Sequence, residues 1–413
     1  MFLNSLNRTL VRAIFVFLSF LCNLECLITS RFQMFRNIVF CSLMAVLPFG
    51  LMAQTNTTEI KPVFVSRDTV QLNGVTSSIS SLDTLTQRIV LFKRQQEIEK
   101  RYNQAVSDLS EKKNQEATWA FSSVLKLDPN FGKAYSGRGT AFNELKEYNK
   151  ALKDFDMAIK LDSTNEQVYL TRANIKFGMG KKDEAEKDYS KVIQLNPNNA
   201  KALFYRAEIR FEKGEYKEAI ADFNIALVLE PANGLAHNDR GSAKRKLNDF
   251  KGAIEDYTQA IALQPTAAFI YNNRGSAHVK MKAYQEAIAD FTLAITLDSK
   301  NYLAYNNRGN AKFDKEDYVG AQKDFDKTIE LNPDYAYAYN NRAACKYKLQ
   351  DNKGAVEDCN KALQLDSNYG YAYLNRGIAK ELLRDQKGAC ADWAKAGKLG
   401  VKSAQTYINQ DCE

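Results

Sequence analysis

Among the 413 residues, the side chains best suited to nucleophilic or metal chemistry are few: two histidines, His237 and His278, and seven cysteines. So small a histidine complement leaves little choice of general base and no histidine-rich metal site. Cys345, Cys359, Cys390 and Cys412 form no close pairs of zinc-ligand spacing. No glycine-rich phosphate loop, nucleophile elbow or paired metal motif is present. The expectation is a chain with no catalytic residue, no cofactor and no bound metal, and with both histidines facing a core.

The charged side chains are more informative, because they recur. Counted from Gly132 in blocks of 34, arginine fills the seventh place of eight consecutive blocks: Arg138, Arg172, Arg206, Arg240, Arg274, Arg308, Arg342 and Arg376. Aspartate fills the twenty-third: Asp154, Asp188, Asp222, Asp256, Asp290, Asp324, Asp358 and Asp392. Each stands beside a packing position, and a buried charge without a partner is costly. They read as an Arg–Asp ladder bridging helices within or between blocks. A basic stripe binding phosphate or acidic peptide is the alternative, which the matching aspartates count against.

What positions these charges is a strict repeat. Pro129, Ser163, Pro197, Pro231, Pro265, Ser299, Pro333 and Ser367 are spaced 34 residues apart. An aromatic or similar residue stands at place four, Gly or Ala at place eight, Ala at place twenty, and mostly a ring at place twenty-four. Places four, eight and eleven, then twenty, twenty-four and twenty-seven, read as the apolar faces of two helices. Small residues at eight and twenty let the two backbones approach, and rings at four and twenty-four fill the space beside that contact.

Eight in-register copies over residues 132–403 resemble the tetratricopeptide repeat family. The resemblance implies an all-α fold, a right-handed superhelical solenoid of antiparallel helix pairs with a concave groove lined by the first helices. Residues 86–131 read as an N-terminal helix and a degenerate ninth repeat, and residues 403–413 as a capping helix.

Asn273, Asn307, Asn341 and Asn375 fill place six of four consecutive units, after Asp239. They resemble the amide ladder by which O-linked N-acetylglucosamine transferases of this family hold a peptide backbone. An amide can pair with any backbone, whatever the peptide sequence. Around them, Asn272, Asn306, Asn340, Asn310, Phe313, Tyr337 and Tyr347, with Phe269, Leu303 and Tyr371, are the groove candidates; some of the rings could instead pack within the array. No unit has the Lys-at-five, Asn-at-nine pair of chaperone-tail binders.

The first 53 residues differ from the rest. An apolar stretch from Ile38 to Ala53 follows Met34 and Arg36 and has the form of a signal peptide ending before Gln54. The expectation is export, to the periplasm or outside the cell, with translation starting at Met34; a membrane tether at residues 13–29 is the alternative. Residues 54–85 read as a linker. Without residues 1–53 the formal charge of +8 falls to about +5, too mild for a nucleic-acid binder. In an oxidising compartment Cys390 and Cys412, on helices folded about a turn near Gly400, could form a disulfide. Cys345 and Cys359 are out of step for one, and Cys359 takes the place of a core ring.

The expected role is a non-enzymatic protein–protein interaction scaffold binding a peptide segment in its groove, with no small-molecule substrate. The alternative is an assembly component of a cell-envelope complex, docking through its convex face or ends. A 30-residue linker is too short for a catalytic domain.

Overall fold

The computed structural model describes Phe64–Val65, Thr69–Leu72, Val75–Ser78 and residues 84–412. Residues 1–53, on which the signal-peptide and tether expectations rest, lie outside the described residues. Within the segment read as a linker, β1 (Phe64–Val65), β2 (Thr69–Leu72) and β3 (Val75–Ser78) form a three-stranded sheet in that order. Its Thr69, Val70, Val75 and Thr76 have the β-branched side chains that favour strands.

From Thr84 on, the structure is helical. A leading pair, α1 (Thr84–Ser110) and α2 (Asn114–Leu127), precedes the eight repeats. Units one to four are α3 (Gly132–Glu144) with α4 (Tyr148–Leu161), α5 (Glu166–Gly178) with α6 (Lys182–Leu195), α7 (Ala200–Glu212) with α8 (Tyr216–Leu229), and α9 (Gly234–Lys246) with α10 (Phe250–Leu263). Units five to eight are α11 (Ala268–Lys280) with α12 (Tyr284–Leu297), α13 (Tyr302–Asp314) with α14 (Tyr318–Leu331), α15 (Ala336–Lys348) with α16 (Asn352–Leu365), and α17 (Gly370–Leu382) with α18 (Gln386–Lys398). α19 (Ala404–Asp411) follows.

Turn chemistry repeats with the same period. Place fifteen takes a positive φ in every unit, at Lys146, Gly180, Gly214, Asn248, Lys282, Glu316, Gln350 and Arg384. The next N–H then reaches back to the carbonyl of place eleven, as Asp317 does to Lys312, closing the first helix with a Schellman turn. Place sixteen caps the second helix. Where it is Asp, as at Asp249, Asp317, Asp351 and Asp385, the carboxylate accepts from the backbone N–H of place nineteen. That residue is glycine in those four units, because a Cβ there would collide with the capping carboxylate. Between units, Asp or Asn at place thirty-one accepts from the backbone two residues on, as Asp162 does from Thr164 and Asn196 from Asn198.

Packing follows the small-and-ring logic. Ala151, Ala185, Ala219, Ala253, Ala287, Ala321, Ala355 and Ala389 are fully buried. At Gly309 an added Cβ would lie 2.7 Å from the Phe325 ring, so the missing side chain is what admits that ring. One expected packing position is corrected. Place eleven is apolar only in unit one, at Phe142; Lys176, Arg210, Lys244, His278, Lys312, Lys346 and Lys380 stand there in the other seven. The buried position is place ten, with Ala141, Ile175, Ile209, Ala243, Ala277, Ala311, Cys345 and Ala379. The physical reason is that place ten packs on the second helix of the preceding unit, as Ala311 does on Ala287 and Phe291, whereas place eleven faces the aspartate of its own second helix.

First helices of most neighbouring units also pack on each other, and no second helix makes a comparable contact with the next second helix. The array therefore bends around its first-helix side. No helix among the described residues is long and apolar enough to cross a membrane.

Candidate interaction surface

The recurring charges meet within each unit. Every place-seven arginine donates Nε and Nη2 to both oxygens of the aspartate sixteen residues on; for Arg308 and Asp324 the distances are 2.9 and 2.7 Å. The same pairing joins Arg274 to Asp290, Arg342 to Asp358 and Arg376 to Asp392. The cation at place eleven is a third member, as in Lys312 Nζ to Asp324 Oδ2 at 2.8 Å. Fork-to-carboxylate geometry suits such half-buried pairs. In unit four, burial works to raise the Asp256 carboxyl, but hydrogen bonds from Arg240 and Lys244 outweigh it and hold the group below its usual range.

The arginine's remaining nitrogen, Nη1, always reaches back sixteen residues into the preceding unit. Its acceptors are Ser122, Asp156, Ser190, Asn224, Thr258, Thr292, Asp326 and Asn360. Sequence reasoning missed this place twenty-five, although an oxygen-bearing side chain fills it in every unit that has a successor. The last unit, with no arginine to follow in register, has Ala394 there. Each guanidinium thus ties its own helix pair together and ties that pair to the one before.

The histidines meet the same carboxylates. His237 Nδ1 lies 3.6 Å from Asp256 and His278 Nε2 lies 3.8 Å from Asp290. Burial keeps the His278 pKa below its ordinary value, so it is a weak stand-in for the lysine of other units.

The asparagines form a ladder between units. Each place-six amide donates to the place-five amide oxygen of the preceding unit: Asn273 to Asn238, Asn307 to Asn272, Asn341 to Asn306, and Asn375 to Asn340, at 2.9–3.1 Å. Asn341 also donates to Asn310 at 3.0 Å. Asn306 and Asn340 are buried, and Asn272 and Asn310 half-buried. One N–H of each of Asn273, Asn307 and Asn375, and both N–H groups of Asn341, are therefore committed to the array. The Oδ1 atoms of Asn273, Asn307 and Asn375 accept from no group among the described residues.

Of the ring candidates, Phe313 packs under Phe325 and Cys345, and Tyr347 packs beside Cys359. These two belong to the core rather than to an open surface. Phe269, Leu303, Tyr337 and Tyr371 are exposed, Tyr371 by 58%. Leu235 completes the set at the same place two, a member sequence reasoning left out. Places two and six are four residues apart on the first helix, so this stripe and the amide ladder share a face. Tyr302, Tyr335, Tyr337 and Tyr369 form a chain of ring contacts, with successive centroids 4.8–5.3 Å apart.

Cys390 and Cys412 are joined in a disulfide, and Cys345 and Cys359 are free and buried. Burial pushes both free thiols up to about 12, which makes them unreactive near neutral pH.

Family models described as tetratricopeptide repeat match residues 132–165, 170–234, 268–301, 302–335 and 336–369, and one described as TPR repeat matches 241–282. Together these cover more than half of the chain. The chain is a tetratricopeptide repeat protein. No curated protein matches it. Among solved structures, the MamA protein is 26% identical over 42% of this tetratricopeptide chain and 94% of its own, with a TM-score of 0.39. A tetratricopeptide repeat protein from Parabacteroides merdae is 19% identical over 60% and 99%, with a TM-score of 0.49. YrrB, described as a TPR protein with an unusual peptide-binding site, is 25% identical over 45% and 95%, with a TM-score of 0.41. As a tetratricopeptide array, the chain has the architecture of a protein–protein interaction scaffold.

Proposed function

We propose that this tetratricopeptide array is a non-enzymatic scaffold that holds an extended segment of a partner protein along its first-helix face, over units four to eight. The observation that carries the reading is the stripe of exposed apolar side chains at place two of five consecutive units: Leu235, Phe269, Leu303, Tyr337 and Tyr371. Exposed apolar side chains in register beside a polar ladder are what a bound segment would cover. The free amide oxygens of Asn273, Asn307 and Asn375 offer acceptors to its backbone N–H groups.

A second reading is favoured by Ile225, Val228 and Leu293, which are exposed on the second helices of units three and five. They would serve docking through the outer face. The two readings separate by substitution. A peptide selected from a random display library on the purified array is titrated against two triple variants. Phe269→Ser with Tyr337→Ser and Tyr371→Ser should weaken binding at least tenfold at unchanged melting temperature; Ile225→Ser with Val228→Ser and Leu293→Ser should leave it unchanged. The reverse pattern rejects the groove. The asparagines are poorer reporters, since removing a ladder amide also costs about 1 kcal/mol of stability.

The same reading puts the protein in an oxidising compartment, as an exported chain beginning at Gln54. The signal-like run before Gln54 and the Cys390–Cys412 bond support it. Amino-terminal sequencing and unreduced intact mass of protein from its native cells should give that start and a mass two hydrogens below the thiol form. A retained amino terminus with four free thiols would sink the exported reading.

A further inference from the structure

The amide ladder has one irregular rung. In units five to eight, place six is asparagine and donates to the preceding unit; in unit four it is Asp239, which has no proton to donate when charged. The Asn341–Asn310 bond shows that place six of one unit reaches place nine of the unit before. At the junction of units three and four those two places are Asp239 and Glu208, both half-buried. Two acceptors thus stand where a donor and an acceptor stand at the junction of units six and seven.

Their surroundings are poor in compensating charge. On α7, Glu208 lies one turn beyond Phe204 and Tyr205, whose rings are 5.3 Å apart. From α6 come Tyr189, stacked on Tyr205 at 5.7 Å, and Lys182, which is already paired with Glu212 of α7. α5 presents Asn174 and Phe177, which do not titrate. α8 packs on another side of α7, where its Asp222 is held by Arg206 and Arg210. From α9, Asp239 accepts from Asn238 at 2.9 Å, and Glu208 receives no hydrogen bond among the described residues.

We propose that Glu208 and Asp239 form a proton-dependent joint in the array: where Phe204 takes the place of the regular ladder acceptor, one proton held between the two carboxyls bridges units three and four, and its loss as the pH rises to neutrality and beyond loosens that junction. Burial, with Asp239 and Glu212 adding to it, pushes the Glu208 carboxyl up to about 7, and burial also raises Asp239. A carboxyl whose folded value is raised contributes stability that is fully present below its unfolded value and is lost as pH rises through the folded one. The window therefore runs from about 4.5 to about 7 for Glu208. His278, held low by burial, acts with the opposite sign, losing stability as pH falls.

The test is thermal unfolding of the full chain from pH 5.5 to 8.5, compared with Asp239→Asn. That variant supplies the donor found in the next four units, and the histidine contribution cancels in the difference. The melting temperature of the variant relative to the wild type should rise by a few degrees between pH 5.5 and 8.5. Glu208→Gln should do the same. In the wild type alone, amide exchange of α7 and α9, corrected for its intrinsic pH dependence, should quicken about tenfold between those two pH values. A difference between variant and wild type that does not change with pH overturns the proposal.

Discussion

Asp324→Ala should lower the stability of the array by about 3–5 kcal/mol in urea unfolding, the range for leaving a buried ion pair without one partner. Asp324 is 3% exposed and is the common acceptor of Arg308 and Lys312. Removing it leaves a guanidinium and an ammonium facing each other beside the Tyr305 ring, over which Arg308 lies at 5.5 Å. Arg308 also holds Thr292 of the preceding unit at 3.1 Å, so its displacement weakens the junction as well as its own helix pair. Lys312→Ala is the control. It leaves the two-pronged Arg308 contact intact, so Asp324 keeps a partner and the cost should be well below that of Asp324→Ala. Stability in a repeat array is close to a sum of unit and neighbour terms. The loss should therefore appear as faster amide exchange in α13 and α14 and a broader transition, with distant units little changed. A loss for Asp324→Ala no larger than for Lys312→Ala would mean that the triad is not what holds the pair together.

Opening the Cys390–Cys412 bond should destabilise the carboxyl-terminal cap by about 3 kcal/mol, the chain-entropy value for a loop of its 22-residue separation. The bond fixes the end of α19 to α18, and α19 covers the end of the last unit. Trp393 is fully buried there and stacks on Tyr407 of the cap at 5.0 Å. Ala404 is fully buried and Val401 nearly so in the same cluster. Reduction, or Cys390→Ala with Cys412→Ala, should let the cap fray and shift Trp393 emission to the red. Trp119 is 66% exposed and would mask the change, so the measurement belongs in a Trp119→Phe background. Unaltered emission and amide exchange in α18 and α19 after reduction would show that apolar packing alone holds the cap.

Much of this protein is legible in its residue pattern. The 34-residue period, the helix pairs and the small-and-ring packing follow from residue type at fixed intervals, because helix periodicity and backbone approach are local constraints. Arg–Asp pairing is legible too, since recurring charges beside packing positions require recurring partners. The place-twenty-five acceptors and Ala394 are equally present in the sequence, but their meaning depends on knowing that the next unit's arginine comes within reach. Place eleven reads wrongly as apolar for a related reason: a single-helix pattern cannot tell a core-facing position from one facing a buried carboxylate.

The asparagines mark the boundary between the two kinds of knowledge. The sequence by itself determined that four consecutive units would present an amide at place six on one helical face. Only the tertiary structure decided where those amides point, because the rotation between successive units aligns place six of one unit with place five of the unit before. That rotation is a property of packed helix pairs, set by the summed shapes of many side chains, and no residue or spacing encodes it alone. The same rotation sets Asp239 within electrostatic reach of Glu208 and leaves Leu235, Phe269, Leu303, Tyr337 and Tyr371 uncovered along the first-helix face.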